Sequence, residues 1–157
     1  MGTKKIIALG LITASVLAVV VKQKIKKVNQ QFDRLKLLPT GLQNLKVVWN
    51  DFKPLITFTI DLKITNPLSE PFEINGIVAK LQRIIIYDKN GRLLGVSTPN
   101  VGNIKIPALG AFTLSKIPFA LDLQTLAINL INYKSLTKDS FTFEGIITVL
   151  GAEYKIK

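Results

Sequence analysis

The acid–base chemistry open to this sequence near neutral pH is carboxylate chemistry, because its 157 residues include ten Asp and Glu but no His and no Cys. Imidazole is the usual base, proton shuttle and metal ligand at that pH. Without it, and without thiols, the Ser–His and Cys–His nucleophile systems and the common zinc and non-haem iron sites are excluded. Two carboxylates flanking a glycosidic bond could still hydrolyse it. No pair stands out: Glu70 and Glu73 flank a turn, and Asp51, Asp61 and Asp88 fall at strand ends or on exposed faces. They read as solvated surface acids. Asp88-x-Asn90-Gly91 has the start of a calcium loop but not its later ligands. Gly91 to Gly95 precedes no helix, so it cradles no phosphate. No catalytic residue, cofactor, metal or small-molecule substrate is expected.

The elements around these acids give the sequence its character. The net charge is +11. From Met1 to Lys36 there are eight basic residues and one acid, a net +7, whereas the rest of the chain carries only +4. The basic excess brackets one apolar run, which points to a membrane surface and away from nucleic acid. One Trp, three Tyr and no basic–aromatic motif agree with that: no nucleic-acid partner is expected.

Ile6 to Val21 is an uncharged run of 16 residues, broken only by Gly10, Thr13 and Ser15 among apolar neighbours. As a helix it reaches about 24 Å, slightly less than a ~30 Å hydrocarbon core. Ile6, Ile7, Leu9, Leu11, Ile12, Val16, Leu17, Val19, Val20 and Val21 would face lipid. Lys4, Lys5, Lys22, Lys24, Lys26 and Lys27 would lie at the membrane surface, their methylene stems closing the gap. A cleaved signal peptide would place small residues before a polar region, yet Val19-Val20-Val21 runs straight into Lys22. Met1-Gly2 suggests myristoylation, but Ile6 stands where Ser or Thr is needed. A single-pass N-terminal anchor is therefore expected, in a cell envelope or an internal virion membrane. The basic flank Lys22–Lys27 gives a small bias toward the cytoplasmic side for the C-terminal part and leaves the topology open.

The helix is expected to continue as a basic amphipathic stalk to Leu38, since Val21, Ile25, Val28, Phe32 and Leu35 form one stripe. Pro39-Thr40-Gly41 would stop it, leaving residues 39–44 as a linker and 45–157 as a domain. Deleting Met1 to Leu38 should then leave a soluble, monomeric β-rich fragment. Within the domain, Phe58, Ile60, Leu62 and Ile64 alternate with polar residues, the pattern of a half-buried antiparallel strand ending at Asn66-Pro67. Further strands are predicted over Phe72–Leu81, Arg83–Asp88, Arg92–Ser97, Asn103–Ile106, Phe112–Leu121, Ser140–Leu150 and Glu153–Ile156. Lys89-Asn90-Gly91-Arg92 predicts a two-residue type I′ hairpin. Leu123, Leu126, Leu130 and Tyr133 share a helical face behind a plausible Asp122 cap. The sum is a mainly β antiparallel sandwich with one short helix, behind a transmembrane helix and stalk.

Several segments, in order, resemble the LEA14/WHy family (late embryogenesis abundant group 2). They are Ile60-Asp-Leu-Lys-Ile-Thr-Asn-Pro67, Phe72-Glu-Ile-Asn-Gly-Ile77, the Gly91–Gly95 hairpin, Ile104-Lys-Ile-Pro-Ala-Leu, Phe112-Thr-Leu-Ser-Lys-Ile-Pro-Phe and Phe141-Thr-Phe-Glu-Gly-Ile-Ile-Thr-Val. The resemblance covers residues 45–157 and none of the anchor. It implies a fibronectin-III/immunoglobulin-like sandwich, often held near membranes and linked to stress protection, with no catalytic residues. Asn66, Pro67, Gly76 and Gly145 are its turn motif, with a structural role. The expected function is non-enzymatic tethering, with a lipid bilayer and a capsid or envelope protein as partners. One form is a membrane protein of a membrane-containing bacteriophage, linking bilayer to capsid. The alternative is a cell-envelope module that binds lipid or another apolar ligand, or serves in stress protection.

Overall fold

The computed structural model of the chain describes residues 30–73, 79–126 and 133–157. The expected anchor, its basic flanks and Gly76 lie outside the described residues. No helix among the described residues is long and apolar enough to cross a membrane.

Two antiparallel sheets dominate. The first has three strands in the order β1 (Lys36–Asn50), β2 (Lys53–Thr65), β7 (Ala111–Asp122). The second has four, in the order β5 (Leu93–Ser97), β4 (Ala79–Tyr87), β8 (Thr142–Val149), β9 (Ala152–Ile156). A short pair joins β3 (Phe72–Glu73) to β6 (Lys105–Ile106). After β7 comes a helical turn, α1 (Leu123–Leu126), where the Asp122 carboxylate accepts the Gln124 N–H at 2.8 Å as a capping residue should. The rest of the predicted helix, 127–132, lies outside the described residues, and Tyr133–Ser135 is a 3₁₀ turn.

Alternation builds the core. Ile56, Phe58, Ile60, Leu62 and Ile64 of β2 are all buried, as period two requires. They share one hydrophobic cluster with Leu114, Ile117, Phe119 and Leu121 of β7 and with Leu81, Ile84, Ile86, Phe143 and Ile147 of the second sheet. Each such side chain contributes roughly 1.5–3 kcal/mol when removed from water. Phe58 stacks on Phe119 and on Phe141, with centroids 5.7 and 5.5 Å apart, and Phe143 meets Phe119 edge-on at 6.0 Å. The sheets also meet at both flanks. Leu37 donates its N–H to the Lys157 carbonyl at 2.9 Å. At the other flank a Cβ on Gly95 of β5 would fall 2.6 Å from Leu121 Cδ2 of β7, so any larger residue there would have to displace the buried Leu121 side chain.

The expected boundary between stalk and domain is displaced. Residues 30–32 are helical, but the chain turns at 33–34 and enters β1 at Lys36, running as strand through Pro39-Thr40-Gly41. Residues 39–44 are thus mid-strand and not a linker. Phe32 and Leu35, two positions of the predicted stripe, are buried in the sandwich core at 3% exposure each. The Phe32 ring stacks on Tyr154 at 4.6 Å and meets Phe72 edge-on at 5.1 Å. The domain therefore includes Phe32 and Leu35, and deletion to Leu38 would remove part of its core. The Pro39 ring did not end a strand because β1 is an edge strand, where a missing N–H is tolerated.

Two irregularities bend that edge, between Pro39 and Gly41 and between Gln43 and Lys46. Asp61 of β2 holds the first and a matching bulge in β7. Its Oδ2 accepts Gln43 Nε2 at 3.0 Å, its Oδ1 accepts the Lys116 N–H at 2.7 Å, and its carbonyl accepts Thr40 Oγ1 at 3.1 Å. Lys116 needs that help, since its φ is +55. The second bulge centres on Asn44, at φ +55, whose Nδ2 donates to Thr59 Oγ1.

Candidate functional site

The β1–β2 ribbon is the longest feature among the described residues, about 45 Å at ~3.3 Å per residue. Its two ends differ in chemistry. At one end Lys36 pairs with Thr65, and the chain leads in from Gln30. Asn66 follows directly and is 1% exposed. Its Oδ1 accepts the Leu68 N–H at 3.1 Å, the local turn expected of Asn before Pro67. Its Nδ2 reaches two further carbonyls, Glu70 at 2.7 Å and Pro107 at 3.2 Å, while its own N–H donates to Gly110 at 2.9 Å. One amide thus fastens the 66–70 turn to the 107–110 turn. Pro67 lies exposed beside it. Gly145, grouped with them in the sequence motif, is not in a turn. It sits inside β8, where a Cβ would meet Ile156 Cγ1 at 2.8 Å. Its role is close packing of β8 on β9.

The other end of the ribbon is the Asn50–Lys53 turn. Asp51 and Phe52 have φ of +44 and +64, the two positive angles of a type I′ turn. Asn and Gly are the usual occupants; a phenylalanine held there is strained. Phe52 is 99% exposed and Trp49 beside it is 67% exposed. No packing within the described residues uses either ring fully.

A third feature lies where β1 approaches the start of β8. A groove of about 590 Å³ is lined by Leu37, Leu38 and Pro39 of β1, by Tyr87 and Gly91, and by Phe141, Phe143, Glu144 and Lys157. Glu144 is 6% exposed, an unusual burial for a carboxylate. Lys155 Nζ lies 3.2 Å from its Oε1 and Lys157 Nζ 3.8 Å from its Oε2. Oε1 is buried with no hydrogen bond among the described residues, Lys155 being a charge partner placed off the hydrogen-bonding line. The next outward residue of β8, Ile146, is 2% exposed, flanked in register by Arg83 and Lys155, whose stems suit that cover.

The remaining acids occupy structural places. The Asp88 carboxylate organises the β4–β5 hairpin by accepting the N–H groups of Asn90 and Arg92 at 2.9 and 2.8 Å. The Arg92 backbone bond is the chief cause of its lowered pKa; desolvation opposes it, and the Asn90 bond and the Arg92 guanidinium reinforce it. Gly91 is at φ +79 and donates to the Asp88 carbonyl, while Asn90 has no positive φ. The turn is therefore a three-residue loop with a type I turn and an αL glycine, not the two-residue type I′ turn predicted. Glu73 pairs with Lys105 across the β3–β6 pair, and Glu153 of β9 pairs with Arg83 of β4 over the intervening β8. Among the described residues no three acids gather as a metal site would require.

Sequence reasoning missed both the aromatic tip and Glu144. Trp49 and Phe52 straddling Asn50-Asp51 carried a signal, since aromatics seldom flank a hairpin turn without use. Glu144 carried a fainter one: Ile146 shares its strand face, and an apolar residue there implies that the face is covered.

Compared with known proteins, the chain matches no family model, no curated protein and no solved structure.

Proposed function

We propose that this chain is a non-enzymatic, membrane-anchored tethering protein. Ile6–Val21 spans a bilayer, and the β-domain holds a second protein through the Trp49–Phe52 tip. The observation that carries this reading is the placement of a strained, fully exposed aromatic at the far end of a ~45 Å ribbon from the end where the chain arrives from the apolar run. Buried interfaces favour Trp and Phe as anchors, because both bring large apolar area at low conformational entropy. The two sheet orders, β1-β2-β7 and β5-β4-β8-β9, are consistent with a fibronectin-III-like sandwich, and the segments from Ile60 to Val149 support a LEA14/WHy-like identity for it. A membrane protein of a bacteriophage virion that links bilayer to capsid is the form we favour.

Purification of the full-length protein from its native source, with mass spectrometry of what stays attached, tests this. A capsid or envelope protein in fixed ratio, lost in the Trp49→Ala/Phe52→Ala variant, supports tethering. Retention of that partner by the variant removes the tip from the proposal. Release of the chain by alkaline carbonate would instead remove the anchor. The groove beside Glu144 favours a second reading, lipid handling in a cell envelope, in which lipid and no protein copurifies.

A further inference from the structure

We propose that the groove beside Glu144 binds a phosphate-linked primary ammonium carried on an apolar chain, the chemistry of a phosphatidylethanolamine headgroup. The lipid source rests on the membrane-anchored reading above; the headgroup chemistry does not.

The charges in the groove set the ligand. Glu144 Oε1 is buried and makes no hydrogen bond among the described residues, Lys155 at 3.2 Å serving it as a charge partner alone, so a ligand ammonium that takes the lysine's place adds an aligned N–H that the lysine does not supply. Lys155 and Lys157 are the opposite case. Their side chains are 66% and 79% exposed; their ammonium groups, at 3.2 and 3.8 Å, pair with Glu144 and can exchange it for an anion when a ligand ammonium takes their place. One carboxylate with two mobile ammoniums matches a zwitterion whose cation and phosphate are joined by two carbons. A purely anionic headgroup would engage the lysines but leave Oε1 without a donor. A quaternary ammonium carries the charge without an N–H, so it fails at the same atom.

Apolar walls set the rest of the ligand. Leu37, Leu38, Pro39 and Phe141 line the groove, and Leu38 is 48% exposed. An acyl chain covers that surface; a soluble headgroup cannot. These β1 residues also follow Val21, the end of the apolar run, by only 16 to 18 positions.

The full-length protein in nonionic detergent is titrated with dihexanoyl phosphatidylethanolamine, phosphatidylcholine, phosphatidylglycerol and glycerophosphoethanolamine, with the bound fraction read by native mass spectrometry. We expect phosphatidylethanolamine to bind about tenfold more tightly than the other two lipids, the worth of one charged hydrogen bond. Glu144→Gln should bring it down to the phosphatidylcholine level. Leu38→Lys changes only an exposed wall and so guards against misfolding; it should weaken the lipid but not glycerophosphoethanolamine. Equal binding of phosphatidylethanolamine and phosphatidylcholine, or an unchanged Glu144→Gln variant, overturns the proposal. Glycerophosphoethanolamine binding as tightly as the lipid would overturn the lipid source while keeping the headgroup chemistry. Carbonate extraction separately decides the anchor, so the two failures cannot be confused.

Discussion

The two ends of the β1–β2 ribbon solve opposite problems with similar backbone. At the Asn66 end the buried polar and aromatic groups are matched by partners: one amide makes three side-chain hydrogen bonds, and Phe32 sits between two aromatic rings. At the Trp49–Phe52 end two positive φ angles are held with a bulky ring pointing into solvent. Folding alone explains the first arrangement. It does not explain the second, because a glycine at position 52 would relieve strain without loss of packing. Strain that folding does not use marks residues kept for contact with something else.

The contrast can be broken most forcefully by truncation. Removal of residues 1–29 should leave a cooperatively folded β-rich domain, whereas removal to Leu38 strips Phe32, Leu35 and Leu37 from the core. Large apolar losses of this kind cost about 2–5 kcal/mol each, enough to unfold a marginal domain. Thermal melts by circular dichroism with size-exclusion chromatography distinguish the two; equal stability would place the domain start after Leu38. Next comes Asn66→Ala, which leaves the Glu70 and Pro107 carbonyls and the Leu68 N–H short of a partner. We expect a loss of roughly 2–3 kcal/mol in chemical denaturation, and a neutral result would mean that solvent satisfies those groups.

Phe52→Gly should act in the other direction, raising stability by about 1 kcal/mol through relief of the left-handed backbone. The same change should weaken partner retention. Lower stability would show that the ring packs after all and would erase the contrast. The smallest effect concerns Asp88. Its folded pKa lies below the ordinary 3.8, so its contribution to the hairpin is complete above that value and fades as pH falls through the lower folded value. Carboxyl chemical shifts and amide exchange at Asn90 and Arg92 should show this; a midpoint at or above 3.8 would contradict it.

Much of the fold was legible because alternation is a local signal. Phe58 to Ile64, the β7 and β8 strands and the place of the β4–β5 hairpin, though not its turn type, follow from residue period and turn composition alone. The boundary at residues 36–44 was not legible. Phe32 and Leu35 fit a helical stripe equally well in a stalk or in a core, and Pro39 reads as a stop unless the strand is known to lie at an edge. Asp61 looked like one more exposed acid of β2, since nothing nearby in sequence announces that it fastens Gln43 and Lys116 from both sides. Glu144 was hidden for a similar reason: its burial depends on β1 and β9, which are distant in sequence.

The bent outer edge of β1 has a consequence for crowding. Proteins held in a bilayer diffuse in two dimensions, where neighbours collide often and in similar orientation. A straight fifteen-residue edge would then offer each neighbour a long row of free amide and carbonyl groups to pair with. The kinks at Pro39–Gly41 and Gln43–Lys46 cut that row into short, misaligned pieces. On the proposed membrane-anchored reading, copies can therefore stand side by side without zipping into a ribbon, and the proposed partner is left to set their density.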